Sequence, residues 1–286
     1  MTIIRAKKSL GQNFLNDESV ARRIIDLVSP NPDEILIEVG AGTGVLTGML
    51  VDRSGYVLAV EIDPQLVEFL RRSLTEPNLC ILSADALKLN WTEAITNAKN
   101  KLHASLPDQP GPTRVRVVAN LPYYISTPII ELFLGMHDQL FDMTLMLQKE
   151  VAERITSAPG SKDYGYLSVL VQYYCDASLS FQVPADAFTP APKVESAVIK
   201  LKLRDRPAVQ VEDETKFFKL VRAAFSQRRK TILNNLKASA ASLNFSTPIG
   251  SALEVSGVAA QRRAETLSLS EFASLDRALF SRRVGT

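Results

Sequence analysis

Short apolar runs and amphipathic stretches alternate along the first two thirds of the chain. Ile35–Val39 is apolar except for Glu38, the pattern of a strand buried on both faces. Tyr56–Val60, Leu79–Leu82, Arg116–Ala119 and Phe141–Leu147 have the same character, and Ser178–Val183 and Val194–Leu203 predict two more strands. Between them apolar residues recur at helical spacing. Val20, Ile24, Ile25 and Val28 mark a helix that starts near Asn16 or Asp17 and ends at Pro30. Leu46, Met49 and Leu50 mark a second, and Leu66–Leu74, Ser126–Gly135, Lys149–Thr156 and Leu167–Tyr173 predict further helices. Pro159–Asp163 reads as a loop. Strands alternating with helices imply a parallel sheet with helical crossovers.

Two segments depart from that rhythm. Asn90–Thr113, with Pro107, Pro110, Gly111 and Pro112 near its end, reads as a surface insertion, partly helical around Trp91–Leu106. After Pro207 the pattern is helical only. Phe217, Leu220, Val221, Ala224 and Phe225 form one stripe, Ile232, Leu233 and Leu236 another, and Leu275 and Leu279 lie in a closing helix. The expected domains are 1–206, an α/β sheet domain, and 207–286, a small all-helical one.

Composition adds bounds. With 286 residues, 46% apolar and 22% charged, the chain suits an ordinary globular protein. No run approaches the roughly 18 apolar residues of a membrane span. Arg5, Lys7 and Lys8 are followed by no apolar signal core, so a cytoplasmic protein is expected. Cys80 and Cys175 lie among apolar neighbours and read as free thiols. His103 and His137 form no cluster with them at zinc spacing, so no metal is expected and zinc deaminase chemistry is excluded. No sustained apolar seam suggests association, and a monomer is expected.

The net charge of +2 conceals an asymmetry: residues 1–206 carry 21 Lys/Arg against 24 Asp/Glu, and residues 207–286 carry 12 against 7. Thr215–Leu253 holds seven basic residues and no acidic one. Such a run is either a solvated helix face or a footprint for a polyanion.

Candidate chemistry gathers at strand ends. The first strand runs into Gly40-Ala41-Gly42-Thr43-Gly44, a loop whose backbone can approach a ligand closely. In the dinucleotide fingerprint the third small residue would fall on Val45, which speaks against a dehydrogenase. Glu61, closing the second strand, suits a ribose diol; Asp85, beyond the third, suits an adenine amine. With Glu38 these make three acids and no Lys or Arg in the loop, which favours a nucleoside with a cationic centre, S-adenosylmethionine, over a phosphate-bearing ligand. Helix N-capping is the plainer alternative for the acids.

Asn120-Leu121-Pro122-Tyr123-Tyr124 closes the fourth strand. The Asn120 side-chain oxygen and the Leu121 carbonyl could accept the hydrogens of an adenine N6 amine, with Pro122 stiffening the turn and Tyr123 stacking on the base. Acceptors so placed stabilise positive charge developing at nitrogen, typically by about 2.7–4 kcal/mol each. The methylated ammonium sheds its proton readily, so no general base is required. Phe188 is a candidate for the other face of the base, or a packing residue.

These residues resemble the bacterial ribosomal RNA adenine N6,N6-dimethyltransferases of the KsgA/RsmA family. The resemblance runs from Lys7-Lys8-Ser9-Leu10-Gly11-Gln12-Asn13-Phe14-Leu15 through the glycine loop and Asn120–Tyr124. It continues in Phe188-Thr189-Pro190-Ala191-Pro192-Lys193-Val194-Glu195-Ser196, Phe225-Ser226-Gln227-Arg228-Arg229-Lys230-Thr231 and Arg263-Ala264-Glu265. It implies a seven-stranded, mostly parallel Rossmann-like methyltransferase sheet with a helical C-terminal domain. It implies dimethylation of two adjacent adenosines near the 3′ end of 16S rRNA in the small ribosomal subunit, from S-adenosylmethionine. It assigns Asn13, Leu15, Gly40, Gly42, Glu61, Asp85 and Asn120 to the cofactor, and Arg228, Arg229 and Lys230 are expected on RNA phosphates. Two rivals share the fold: a 23S rRNA methyltransferase of the antibiotic-resistance type, and a non-catalytic ribosome-assembly or transcription factor.

Overall fold

The computed structural model describes residues 6–106 and 113–280. The chain opens with β1 (Phe14–Leu15) and α1 (Glu18–Val28); the Asp17 carboxylate caps α1 by accepting the N–H groups of Ser19 and Val20. β2 (Ile35–Val39), α2 (Val45–Val51), β3 (Tyr56–Glu61), α3 (Pro64–Ser73), β4 (Leu79–Ser83), α4 (Trp91–Ser105), β5 (Val115–Asn120), α5 (Ser126–Leu134) and β6 (Asp142–Gln148) continue the alternation. Next come α6 (Lys149–Thr156), α7 (Tyr166–Tyr174), β7 (Cys175–Val183), β8 (Phe188–Thr189) and β9 (Ser196–Leu203). The helices α8 (Glu214–Ala224), α9 (Ile232–Leu243), α10 (Ile249–Val255) and α11 (Leu269–Phe280) follow.

Seven strands form one sheet in the order β4-β3-β2-β5-β6-β9-β7. The run from β4 to β6 is parallel, and β9 joins β6 antiparallel. The chain adds β3 and β4 on one side of β2, then returns to place β5 and β6 on the other. The sheet therefore reverses direction of growth between β2 and β5, and in such sheets the crevice beyond the strand carboxyl ends at this point receives ligands. The glycine loop leaves β2 there, and Asn120–Tyr124 leaves β5 there.

One side of the sheet is covered by α1 and α2. Val20, Ile24, Ile25 and Val28 of α1 join Leu46 and Leu50 of α2 and the strand residues Leu36, Val118 and Met146 in one buried cluster. A charged side chain interrupts β5: Arg116 is buried, but its guanidinium forks onto Asp142 at 2.9 Å and 2.9 Å and reaches Glu34 at 2.8 Å. Paired in this way the charge can stay inside. It ties β5 to β6 at the end of the sheet away from the crevice.

One expectation requires correction, and one pairing had no counterpart in the sequence reading. The segment from Asn90 is no surface insertion up to Ser105: α4 is the crossover between β4 and β5. Trp91, Ala94, Ile95, Ala98 and Leu102 fall on one face of it and are buried. The Trp91 indole N–H donates to the Ala86 carbonyl at 2.8 Å, and its ring meets Phe133 of α5 at 4.9 Å. Pro107, Pro110, Gly111 and Pro112 lie outside the described residues. Nor does the hydropathy pattern carry any sign of the β1–β8 ribbon, in which Phe14 pairs with Thr189 and Leu15 with Phe188.

The chain divides into two compact units, Met1–Ala152 with Ser178–Leu203, and Glu153–Ala177 with Arg204–Thr286. Relative to a cut after residue 206, the helical unit also takes in Glu153–Ala177 and with it α7. Within that unit Phe217, Leu220, Val221 and Ala224 of α8, Ile232 and Leu236 of α9, and Phe272, Leu275 and Leu279 of α11 are buried.

Candidate active site

The glycine loop is built from backbone that other residues resist. Gly40, Gly42 and Gly44 have φ of 75°, 58° and 83°, the left-handed region. At Gly44 space is tight as well: a Cβ would stand 2.7 Å from Leu70 Cδ2, so that buried side chain would have to shift. Gly40 donates its N–H to the Val60 carbonyl at 2.8 Å, which holds the loop against the end of β3.

The acids differ in their environments. Glu61 is 5% exposed, and its carboxylate accepts the Gly42 N–H on Oε2 and the Asp63 N–H on Oε1, each at 2.9 Å. It thereby fastens the glycine loop to its own strand end. Glu38 is buried one strand away; Thr47 donates its hydroxyl to Oε2 at 2.6 Å. Burial pushes the Glu38 carboxyl up to about 8, the Thr47 hydrogen bond opposes this, and the charge of Glu61 adds to it. Asp85 accepts the Leu87 N–H at 3.0 Å and lies 3.4 Å from the Lys88 ammonium, so it also braces its own turn.

A strap from the N-terminal segment closes over this edge. Lys7 donates to Asp63 at 2.6 Å and Gln12 donates to it at 3.2 Å. Burial alone would raise the Asp63 pKa, but the hydrogen bonds from Lys7, Gln12 and the Gln65 N–H outweigh it and hold the carboxyl below its usual range. Further along, Asn16 donates its side-chain N–H to Thr189 Oγ1 at 2.6 Å, and β1 pairs with β8. The strap is thus fastened at both ends.

Across the crevice, Asn120 lines the cleft and donates its Nδ2 to the Asn13 carbonyl at 3.3 Å, which leaves Oδ1 without that bond and able to accept. Leu121 donates its N–H to the Met146 carbonyl at 3.2 Å, and Ile125 donates to the Pro122 carbonyl at 3.1 Å, closing the turn. The Tyr123 hydroxyl lies 2.7 Å from Ser196 Oγ on β9. Burial raises the Tyr123 pKa, so the phenol is neutral and its ring is held by the far end.

One cleft receives Asn13, Leu15, Gly40, Gly42, Glu61, Asp85, Asn120, Leu121, Pro122 and Tyr123. Phe188 is not brought to it: the ring is 3% exposed and packs in the cluster with Leu15, Val20 and Val183. Ile62 and Leu87 are among the cleft residues that the sequence reading missed. They are 43% and 39% exposed, and each lies close behind a strand-end acid, Glu61 and Asp85. Apolar side chains left open beside acceptors make walls for a flat ring whose edge carries donors. The signal was available in the sequence as an apolar residue one or two places after each acid. Chemically, the cleft offers carboxylate acceptors and apolar walls on one side and neutral acceptors beside an aromatic ring on the other. Among the described residues no group of three or more His, Cys, Asp or Glu side chains could hold a metal ion, and no helix is long and apolar enough to cross a membrane.

In the helical unit, Arg228, Arg229 and Lys230 occupy an exposed turn between α8 and α9. Buried Asn235 donates its Nδ2 to the carbonyls of Ala224 at 2.6 Å and Gln227 at 3.1 Å, and Lys230 donates its N–H to the Gln227 carbonyl at 3.1 Å. These bonds hold the turn to the start of α9, and its three basic residues are exposed; Arg228 also donates to the Lys162 carbonyl.

Comparison with known proteins completes the picture. The family described as ribosomal RNA adenine dimethylase matches residues 3–275. The ribosomal RNA small subunit methyltransferase A of Moorella thermoacetica is 44% identical over 275 residues, 96% of this chain and 92% of that protein. The crystal structure of a dimethyladenosine transferase from Plasmodium falciparum superposes with a TM-score of 0.72 at 25% identity, over 92% of this chain and 95% of that one. That of the 23S rRNA methyltransferase ErmE gives 0.67 at 26% identity, over 93% and 99%.

Proposed function

The chain belongs to the ribosomal RNA adenine dimethylase family, and we propose that it dimethylates N6 of two adjacent adenosines near the 3′ end of 16S rRNA, within the small ribosomal subunit or its precursor. The methyl donor in this reading is S-adenosylmethionine, and the setting is ribosome assembly in the cytoplasm. One observation carries the reading: the Asn120–Tyr124 turn, the glycine loop and two strand-end acids meet in a single cleft at the switch point of the sheet.

The residues present fit such a donor. Glu61 keeps lone pairs for ribose hydroxyls after holding the Gly42 and Asp63 N–H groups, Asp85 can accept from an adenine amine, and Ile62 and Leu87 offer apolar walls to the ring. The glycine loop carries no cation that would favour a phosphate. S-adenosylmethionine supplies an electrophilic methyl group. The chain's own part is on the acceptor side. Asn120 Oδ1 and the Leu121 carbonyl take the two N6 hydrogens, and Tyr123, anchored through Ser196, holds the ring. Acceptors fixed before the reaction stabilise the charge that grows on nitrogen without reorganising. After the first transfer the methylated nitrogen loses one proton to solvent, and the hydrogen that remains can still bond to the same acceptors, which is compatible with a second methylation of that nitrogen. The basic turn Arg228–Lys230 of the helical unit binds RNA phosphates in this reading, and its exposure and the hydrogen bonds from Asn235 support that role.

The test is transfer of labelled methyl groups to small and large ribosomal subunits that lack the modification. Label in small-subunit rRNA, recovered as N6,N6-dimethyladenosine, is expected. Label in the large subunit would favour the 23S reading. Tight particle binding without any label would favour a non-catalytic assembly factor.

A further inference from the structure

Three of the six exposed large apolar side chains among the described residues border the cleft: Ile62, Leu87 and Tyr124. The first two adjoin the carboxylates of the donor side. Tyr124 lies on the acceptor side, next in the chain to Tyr123, and is the most exposed of the three at 56%. The two tyrosines are held differently. Tyr123 is tethered by its hydroxyl to Ser196, whereas the Tyr124 hydroxyl meets no partner among the described residues.

The Tyr124 ring is nonetheless braced. Gly11 of the N-terminal strap has φ of +57°, and a Cβ there would stand 3.0 Å from Cδ1 and 3.3 Å from Cε1 of Tyr124. The strap backbone lies against one side of the ring, so closely that a Cβ at 11 would press on it. An aromatic ring backed by the strap, more than half exposed and at the mouth of the cleft has the form of a stacking platform.

We propose that Tyr124 stacks on the nucleobase that neighbours the target adenine in the RNA chain, an inference that rests on the RNA adenine methylation proposed above. A base drawn into the cleft leaves the stack, and its neighbour loses a partner. Tyr124 replaces that partner. Because every base has a π-face, this stacking adds affinity and holds the strand open without choosing the sequence. With two adjacent targets, each adenosine serves in turn as the neighbour of the other.

The experiment uses the full chain and under-methylated small subunits, with Tyr124→Phe, Tyr124→Leu and Tyr124→Ala. Steady-state methyl transfer gives kcat/KM for the particle, and calorimetry gives the Kd for S-adenosylmethionine. Stacking predicts wild-type behaviour for the Phe variant. It predicts a fall in kcat/KM of roughly 5- to 150-fold for both Leu and Ala, with unchanged donor affinity in all three. A Leu variant equal to wild type would reduce Tyr124 to apolar cover and overturn the inference. So would an Ala variant whose loss tracks weaker donor binding, because the ring would then be a prop for the strap. Wild-type enzyme runs alongside: if it forms no dimethyladenosine, the RNA reading itself fails and takes this inference with it, whereas an active wild type matched by Ala and Leu overturns this inference alone.

Discussion

Replacing Glu61 by Gln changes the side chain by one group and removes its charge, yet the surroundings cannot accommodate the change. The two carboxylate oxygens accept two backbone N–H groups, Gly42 on one side and Asp63 on the other, both at 2.9 Å. An amide supplies a single oxygen. In either orientation its NH2 faces one of these N–H groups, and with the residue 5% exposed water cannot step in freely. The loss is one hydrogen bond to a charged acceptor, about 1.5–3 kcal/mol. If the same carboxylate also accepts the ribose hydroxyls, a comparable loss appears in binding, about 10- to 150-fold in the Kd for S-adenosylmethionine. Urea unfolding followed by circular dichroism reads the first quantity and calorimetric titration of the donor reads the second. A lowered midpoint with unchanged affinity would make Glu61 a fastener of the loop and nothing more. If neither moved, the bonding described for Glu61 would be wrong.

Glu38→Gln tests the neutral buried carboxyl. An unfolded Glu ionises near its ordinary 4.5, whereas the folded one holds its proton to about 8, so the folded state binds more protons in between and stability falls as pH rises through that window. The Gln variant keeps an acceptor for Thr47 and should lose this slope in denaturation curves taken from pH 5 to 8; a slope equal to wild type would place the proton elsewhere. Asn120→Ala should lower kcat by about 100- to 1000-fold with little change in donor affinity, and wild-type turnover in that variant would remove Asn120 as an acceptor. Neutralising Arg228, Arg229 and Lys230 together should flatten the salt dependence of particle binding by about 0.7–0.9 in log–log slope for each phosphate that these cations no longer neutralise, and an unchanged slope would make the turn a plain solvated face.

The sheet was legible because strands buried on both faces must be apolar throughout. Ile35–Val39 was bounded correctly from its side chains alone, and the seven sheet strands came out within three residues at each end. The helix α4 was legible in its periodicity but not in its role, because Pro107–Pro112 drew attention to the end of the segment and away from the buried face at Trp91, Ile95 and Leu102. Strands of two residues have no period, and the partners in the β1–β8 ribbon are separated by most of the chain, so that pairing had no local trace. The same pairing buries Phe188, which no reading of residue type could have settled. Asp63 shows a further limit of pattern reading. It looks like a helix cap, and it accepts the Gln65 N–H as one, but it also receives Lys7 and Gln12 from the strap. Long-range pairings of this kind are decided by the fold.

The central claim is that this cleft places two methyl groups on N6 of each of two neighbouring adenosines in small-subunit rRNA. The most direct measurement is mass spectrometry of the 3′-terminal 16S fragment after incubation of under-methylated small subunits with the protein and S-adenosylmethionine. N6,N6-dimethyladenosine at two adjacent positions is the predicted result. An unmodified fragment from particles that bind the protein, or methyl groups found on 23S rRNA instead, would contradict it.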